Sequence, residues 1–295
     1  MNNKKNIKSF WNSLQINAHD KNLNSINANK LLYYISELEK LFIHRNHLAV
    51  NEMSYKKLNG KRVLEVGCGT GAHSLLFSFY KADMYATDIS ENRVESAKKL
   101  IGMLSNTNTT FKLCDAENLP YKNNYFDIVY SNGVLHHTYD IKKAISEVNR
   151  VLKPGGEAII MLYAKNSFLY FINIYLIKGI ILGYKKRFKN LWIGASTEWM
   201  SSNKQKVYNP VTYVFSKKEI KLLFSNFNIV SIRKNSFIFS HIPLFGKYIS
   251  NFFGIFYGYN EAGILLYDKP WRYETKFEKF LGKYIGFCYN IKLTK

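Results

Sequence analysis

A chain of 295 residues with 47% apolar and 16% aromatic residues can supply the core of one large α/β domain with elaborations, which predicts a globular protein. Its three cysteines, Cys68, Cys114 and Cys288, are too few and too irregularly spaced for a disulfide framework or a zinc site, so the cytoplasm is the expected compartment. The net charge of +21 would suit a nucleic-acid surface, but the cations are scattered, which favours biased composition over a functional polyanion site.

Two segments bear on targeting and membranes. Residues 1–10 carry charges but no apolar run followed by a small-residue cleavage site, so no secretory signal is expected. Residues 167–184 are near the lower length limit for a membrane span and are interrupted by Asn173, Lys178 and Gly179. We expect a buried or interfacial helix there.

The first 59 residues show no strand alternation. Apolar residues recur at helical spacing in their second half, at Leu31, Leu32, Ile35, Leu38, Leu41 and Phe42. This pattern predicts a helical N-terminal cap.

From residue 61 onward, strands and helices alternate. Strands are predicted at 62–66, 84–87, 110–114, 126–130 and 157–163, and helices from 72, over 91–101 and over 141–152. Asp140 is placed to cap the helix from Ile141, and Pro154-Gly155-Gly156 should stop it. A helix at 216–224 and strands at 229–239 and 286–293 would return the chain to the same sheet. The alternation predicts a parallel sheet covered by helices on both faces.

The most informative segment follows the first strand, where Gly67, Gly69 and Gly71 let the backbone close on a ligand that no Cβ would tolerate. Gly67, Gly69 and Ala72 also satisfy the dinucleotide-binding pattern, with Asp88 about twenty residues further on, at the distance expected for an acid on ribose hydroxyls. On this motif alone, a nicotinamide-dependent dehydrogenase is an alternative.

Three further features favour a different cofactor. Glu65 precedes the loop, where a carboxylate cannot help a pyrophosphate but can face the ammonium of an amino-acid moiety. The segment 113–120 (LCDAENLP) puts an acid at the carboxyl end of the third strand, where open α/β sheets bind ligands. The segments 125–137 (YFDIVYSNGVLHH) and 150–156 (RVLKPGG) lie where the fourth and fifth strands are expected.

With these motifs the chain resembles the class I S-adenosylmethionine-dependent methyltransferases, in the branch similar to ubiquinone/menaquinone-biosynthesis and natural-product methyltransferases, over about residues 61–165. The resemblance implies an α/β fold: a seven-stranded Rossmann-like sheet of order 3-2-1-4-5-7-6, the last strand antiparallel, with a helical N-terminal cap and helical insertions after strands 5 and 6. The corresponding division is a cap at 1–59, a cofactor-binding core at 60–165, and a third part at 166–295. This third part would combine lid or substrate-recognition insertions with the final strands of the same sheet. The segment 209–212 (NPVT) before a helix also looks like a subset of this family.

The resemblance also implies roles for individual residues, with S-adenosyl-L-methionine as the cofactor and no metal site. Glu65 and the loop Gly67, Cys68, Gly69 and Gly71 would hold the methionine end, although Cys68 and Cys114 read chemically as small packing residues. Asp88 would bind the ribose hydroxyls, with Ile89 against the adenine. Asp115 and Ala116 would line the adenine edge, and Ser131 and Asn132 would form the floor beneath the sulfonium.

Methyl transfer from a sulfonium is an in-line displacement, so the protein must mainly align acceptor, methyl group and sulfur. A hydroxyl acceptor would benefit from a base, and His136 or His137, just beyond the fourth strand, are the catalytic candidates. A structural hydrogen-bonding role is the alternative for both.

The acceptor is expected to be a small, hydrophobic or aromatic metabolite, selected by Tyr33 and Tyr34 of the cap and by the 164–285 region. The aromatic residues of that region would form either a lid over the pocket or a second core: Phe168, Tyr170, Phe171, Tyr175, Phe252, Phe253, Phe256, Tyr257 and Tyr259.

Other partners and other functions remain as alternatives. The apolar helix that ends in the basic run 185–189 could contact an anionic membrane peripherally. An RNA methyltransferase would explain the charge, but no nucleobase-gripping motif follows the fourth strand, so nucleic acid is not an expected partner. A non-catalytic nucleotide-binding protein is the third reading, and the intact glycines and acids argue against it.

Overall fold

The computed structural model describes residues 2–13, 28–44, 48–202, 205–259, 265–266, 269–270 and 272–295. Its centre is a sheet of seven strands: β1 (Arg62–Val66), β2 (Asp83–Asp88), β3 (Asn108–Leu113), β4 (Phe126–Asn132), β5 (Leu152–Tyr163), β6 (Asn228–Asn235) and β7 (Cys288–Thr294). The strand order is β3-β2-β1-β4-β5-β7-β6.

Strand direction changes only at one side of this sheet. The pairs β2–β3, β1–β2, β1–β4 and β4–β5 are parallel, whereas β7 runs antiparallel to both β5 and β6. The predicted sheet order and the antiparallel last strand are therefore confirmed. The carboxyl ends of β1, β2, β3 and β4 meet at one edge, which is where open α/β sheets bind ligands.

Helices cover both faces. They are α1 (Asn2–Ser13), α2 (Ala28–His44), α3 (Ala72–Phe79), α4 (Glu91–Ile101), α5 (Ile141–Val151), a π-helix (Leu169–Ile181), α6 (Tyr184–Phe188), α7 (Trp192–Thr197), α8 (Lys217–Leu223), α9 (Gly246–Tyr257) and α10 (Lys276–Ile285). Short 3₁₀ turns lie at Ala49–Glu52, Tyr55–Lys57, Leu135–His137, Lys189–Leu191 and Phe239–His241. Two small hairpins pair Trp199–Ser202 with Gln205–Tyr208, and Leu265–Leu266 with Lys269–Pro270.

The sheet separates two hydrophobic cores because side chains alternate along each strand. Val63 of β1 packs in the core that contains the apolar side of α2, with Ile35, Leu38 and Phe42. Leu64 packs on the opposite side, against α5 and the region of α8. All of these side chains are buried, and burying each one stabilises the fold by about 1.5–3 kcal/mol.

Most predicted helix and strand boundaries agree with the structure to within a few residues. Asp140 caps α5 as expected, since its Oδ1 accepts a hydrogen bond from the Lys143 amide at 3.1 Å. The helix ends at Val151, just before Pro154-Gly155-Gly156 as predicted, but β5 begins earlier than predicted, at Leu152 instead of residue 157. The Cα register places Leu152 opposite Phe126 of β4, so pairing with the sheet begins before the proline.

The apolar stretch at 167–184 forms the π-helix, which is partly exposed. Within the described ranges, no helix has both the length and the apolar character needed to cross a bilayer.

Candidate functional site

The glycine loop connects β1 to α3 at the carboxyl edge of the sheet. Its geometry is tight on one side, because the amides of Gly67 and Cys68 both donate to the Thr87 carbonyl of β2 at 2.8 Å. Gly71 has a φ of +90°, and a Cβ there would lie 2.9 Å from Ala97 of α4. Gly69 also has a positive φ, but a Cβ there would meet no atom within 4 Å. The loop therefore packs closely against the protein and leaves its Gly69 side open to a ligand.

Glu65 lies beneath this loop, nearly fully buried at 1% exposure. Its carboxylate accepts a hydrogen bond from the Ser74 hydroxyl, and Nδ1 of His73 lies 3.6 Å from its Oε1. Burial, with a smaller contribution from the charge of Asp88, raises the pKa of Glu65 to about 8, against the opposing Ser74 hydrogen bonds. The carboxyl is thus largely neutral at pH 7, and a cationic group placed beside it would favour its ionisation. These properties fit the ammonium of S-adenosylmethionine.

Asp88, at the end of β2, faces the same loop. Its two carboxylate oxygens accept hydrogen bonds from the amides of Gly69 at 3.0 Å and Ser90 at 2.9 Å. Each oxygen keeps a second lone pair, so the carboxylate can still accept from ribose hydroxyls. Ile89 follows and is half-buried, as a side chain flanking an adenine ring would be.

Asp115 and Ala116, the predicted adenine edge, follow β3 and are both partly buried. The Asp115 carboxylate accepts from the Glu117 amide at 2.9 Å and lies 3.0 Å from the ammonium of Lys4, which also pairs with Glu117. Lys4 belongs to α1, so the N-terminal helix reaches the adenine edge. The cap was predicted to select the acceptor, and this contact with the cofactor side was not foreseen.

The rest of α1 continues along the same edge. Lys8 pairs with Glu91 at 3.2 Å, and the side-chain oxygen of Asn12 accepts from the Glu91 amide at the start of α4. Trp11 lies between two functional regions: the Arg93 guanidinium is 4.8 Å from the centre of its ring, and the ring of His137 is 5.2 Å away. The helix therefore extends from the adenine side to the acceptor side of the crevice.

Ser131 and Asn132 lie at the end of β4, and their role as the floor beneath the sulfonium stays a prediction. The Ser131 hydroxyl donates to the Val66 carbonyl at 3.0 Å and so ties β4 to β1. The Asn132 side-chain oxygen accepts from the Ala49 amide at 3.0 Å. Cys68 is buried, and burial raises the pKa of its thiol well above the ordinary value, which agrees with its reading as a packing residue.

The two catalytic candidates lie directly after β4, and both are buried. The ring of His136 lies 3.9 Å from that of Tyr163 and 4.1 Å from that of His137, and neither of its nitrogens makes a hydrogen bond of normal geometry with the described residues. Burial and then the neighbouring His137 hold the pKa of His136 well below its usual range, although the Met161 backbone opposes this in part. His136 is therefore a neutral imidazole at pH 7.

His137 has partners at both nitrogens. Its Nδ1 lies 3.0 Å from the Val211 carbonyl and within 3.2 Å of the side chains of Asn209 and Thr212. Its Nε2 lies 3.1 Å from Oε1 of Glu198. The segment 209–212, noted in the sequence, thus holds one side of this ring, and Glu198 holds the other.

Glu198 is the main residue that the sequence did not reveal. Its carboxylate also accepts hydrogen bonds from the Tyr163 hydroxyl, at 3.1 Å, and from the Asn209 amide group. Burial alone would raise the pKa of Glu198, but the charge of His137 and the hydrogen bonds from His137, Asn209 and Tyr163 hold it below its usual value. No spacing connects residue 198 with residue 137, so only the folded chain brings the two together.

The residues predicted to select the acceptor separate into different environments. Tyr34 is buried in the core beside α2, whereas Tyr33 is exposed. Phe252 and Phe256 face outward, and Phe253 stacks on Phe239 with ring centroids 4.9 Å apart. The 164–285 rings are therefore neither a single lid nor a single second core.

Within the described residues, no group of His, Cys, Asp and Glu side chains could hold a metal ion.

The sheet order, the glycine loop and the acids at the carboxyl edge together define a class I methyltransferase architecture. Residues 64–160 match the family described as "Methyltransferase domain". This match agrees with the class I S-adenosylmethionine-dependent methyltransferase architecture of the sheet, and it implies S-adenosyl-L-methionine as the cofactor.

The matches to individual proteins extend beyond residues 64–160 to different degrees. The uncharacterized methyltransferase YcgJ of Bacillus subtilis is 32% identical over 123 residues, which cover 42% of this chain and 49% of that protein. The demethylmenaquinone methyltransferase of Staphylococcus aureus is 28% identical over 196 residues, covering 64% of this chain and 75% of that one. The chain thus matches about half the length of the Bacillus subtilis protein.

The fold itself is shared with solved structures. A crystal structure of an S-adenosylmethionine-dependent methyltransferase from Methanosarcina mazei has a TM-score of 0.53 at 19% identity, covering 80% of this chain and 93% of that one. At this identity the likeness concerns the fold alone.

Proposed function

We propose that this chain transfers the methyl group of S-adenosylmethionine to a small, largely apolar acceptor by in-line displacement. The observation that carries the proposal is the buried Glu65 carboxyl in the strand that leads into the glycine loop, since its raised pKa suits a site completed by a cation. When bound, the cofactor supplies an electrophilic methyl group on a sulfonium. The protein itself binds the cofactor and the acceptor, orients them, and excludes water.

In this proposal each end of the cofactor has its own residues. Glu65 and the loop residues Gly67, Cys68, Gly69 and Gly71 hold the methionine end. Asp88 accepts from the ribose hydroxyls, with Ile89 beside the adenine, and Asp115 and Ala116 meet the adenine edge. Ser131 and Asn132 form the floor under the reacting centre, where their hydrogen bonds to β1 and to the Ala49 amide keep the edge rigid.

The acceptor side is proposed to lie near Trp11, His136 and His137. His136 is the stronger candidate for accepting a proton from an acceptor hydroxyl, because it is neutral and, among the described residues, neither ring nitrogen has a hydrogen-bond partner of normal geometry. His137 is held at both nitrogens, which suits a residue that positions His136 and Trp11. His136→Ala and His137→Ala should each lower turnover and leave cofactor affinity unchanged, and unchanged turnover in both variants would exclude a catalytic role.

For the acceptor we propose a hydrophobic aromatic compound of the hydroxylated-ring or quinol type. The support is the likeness to the Staphylococcus aureus protein, whose name identifies demethylmenaquinone as its substrate. We further propose a cytoplasmic location with peripheral contact to an anionic membrane, where such acceptors would partition.

Two measurements test this function. Calorimetric titration with S-adenosylmethionine, S-adenosylhomocysteine and NAD should give binding of the first two only; binding of NAD alone would support a dehydrogenase, and no binding would indicate a non-catalytic protein. Transfer of a labelled methyl group should then appear in solvent-extractable quinols or phenols. Label appearing in RNA instead would contradict the acceptor class while leaving the cofactor assignment intact.

A further inference from the structure

Helix α9 presents apolar side chains on two opposite faces. Its inner face packs on the protein: Phe253 stacks on Phe239, and the Ser250 hydroxyl accepts from Nε of Arg272 at 3.0 Å. Its outer face and the loop before it form what we call the aromatic ridge, six apolar residues that are 56% to 85% exposed: Leu244, Phe245, Tyr248, Phe252, Ile255 and Phe256. A surface helix normally puts polar residues on its outer side, so this arrangement marks an interaction surface.

Helix α10 extends the same kind of surface. Phe277 at its start contacts Phe239, the residue on which α9 also packs, with centroids 6.2 Å apart. Phe277, Phe280 and Tyr284 recur at helical spacing and are all more than half exposed. Both helices therefore contact the buried ring of Phe239, and both expose aromatic side chains.

Within the two helices themselves, the exposed charges are all positive. Lys247 in α9 and Lys276 and Lys283 in α10 are exposed. The single acid within the two helices is Glu278, which is fully buried and paired with Arg272. Exposed aromatic and aliphatic residues on helices whose exposed charges are lysines match the interfacial layer of a bilayer with anionic headgroups. Cores of protein interfaces are instead depleted in lysine.

We propose that the aromatic ridge and the outer face of α10 dock this protein onto an anionic lipid bilayer. The ridge side chains enter the headgroup and acyl boundary, while the lysines pair with lipid phosphates. This surface differs from the 167–189 segment considered in the sequence, although Asn173 of the π-helix donates to the His241 carbonyl just before the ridge. The proposal rests on the membrane contact included in the proposed function, but it does not depend on methyl transfer.

Sedimentation with phosphatidylglycerol-containing and pure phosphatidylcholine vesicles tests this docking. The unmodified protein should sediment with the anionic vesicles at low salt, and the bound fraction should fall as salt rises. The variant Phe252→Gln/Phe256→Gln should bind at least about tenfold more weakly, and Lys276→Glu/Lys283→Glu should lose the preference for anionic vesicles. The matched control Leu32→Gln/Ile43→Gln, on the exposed side of α2, should bind like the unmodified protein.

Several results would overturn the proposal. These are no vesicle binding by the unmodified protein, undiminished binding by both the ridge variant and the lysine variant, or loss of binding only in Ile180→Gln/Ile181→Gln of the π-helix. A dimer in ultracentrifugation that the ridge substitutions dissociate, without vesicle binding, would assign the surface to a second copy of the chain. Calorimetric cofactor binding should be unchanged in the ridge variant, so the docking and the proposed methyl transfer can fail separately.

Discussion

The protonation state of Glu65 gives a quantitative prediction for cofactor binding. In the free protein its pKa is about 8, so the carboxyl carries about 0.9 of a proton at pH 7. An ammonium group placed beside it would hold it ionised, and binding at pH 7 should therefore release close to one proton. Between pH 6 and 7 the dissociation constant should fall nearly tenfold, which corresponds to about 1.4 kcal/mol.

Calorimetry in buffers of different ionisation enthalpy measures this proton directly. The α-amino group of a ligand titrates near 7.7–8.0, so the window from pH 6 to 7 isolates the contribution of the carboxyl. Two controls are matched to the argument. 5′-Methylthioadenosine lacks the amino-acid end and should release no proton. Glu65→Gln should lose the pH dependence and bind S-adenosylmethionine roughly ten- to a hundredfold more weakly at pH 8.

The raised pKa of Glu65 also affects folding stability. Because the folded pKa lies above the unfolded value of 4.5, the contribution of Glu65 is present below pH 4.5 and is lost as the pH rises through 8. The ligand-free protein should thus lose melting temperature between pH 5 and 8 relative to Glu65→Gln. A pH-independent affinity between 6 and 7, or an equal slope with 5′-methylthioadenosine, would refute the reasoning.

Three further predictions concern the residues around this carboxyl. Asp88→Asn should weaken cofactor binding by about tenfold or more in calorimetry, because an amide keeps only one of the two acceptor oxygens that serve the Gly69 and Ser90 amides and, in the proposed site, the ribose hydroxyls. Lys4→Ala should raise cofactor affinity up to about fivefold at low salt, since an exposed ion pair of this kind contributes at most about 1 kcal/mol. Glu198→Gln should lower turnover. It should also reduce the loss of melting temperature between pH 6 and pH 3. Because the pKa of Glu198 is lower in the folded protein than in the unfolded one, its ionisation stabilises the fold when the pH is above the unfolded pKa. This contribution is lost as the pH falls through the folded pKa.

Each of these three predictions has a control or a result that would contradict it. Glu95→Gln, an exposed substitution on α4, is the control for Asp88→Asn and should leave affinity unchanged. The Lys4→Ala effect should vanish at high salt, and an effect that persists there would contradict an electrostatic origin. For Glu198→Gln, thermal melts from pH 3 to 6 that superimpose on those of the unmodified protein would show that the pairing with His137 contributes nothing.

The sheet could be predicted because its signals are local. β1 reads as a buried apolar run that ends in glycines, and α5 combines helical spacing with the cap at Asp140. Each of these features depends on residues near one another in sequence. The start of β5 was predicted too late, at residue 157, and Pro154 is tolerated inside the strand because it lies between the paired residues Leu152 and Glu157, where the register with β4 is irregular.

Contacts between distant segments could not be predicted in this way. Lys4 reaches Asp115 across 111 positions, and Glu198 reaches His137 through the packing of the region after β5. Tyr33 and Tyr34 are adjacent in sequence, yet only the orientation of α2 decides which is buried. The outward direction of Phe252 and Phe256 likewise depends on how α9 packs, because an aromatic helix has the same composition whether it is a core, a lid or an exposed surface.

A crystal structure of the protein soaked with S-adenosylhomocysteine tests the central claim most directly. We expect the ligand at the carboxyl edge of the sheet, with its ammonium within hydrogen-bond distance of Glu65 and its ribose hydroxyls on Asp88. A crevice closed by the chain's own side chains, or a ligand bound elsewhere with Glu65 still contacting only Ser74 and His73, would contradict the account.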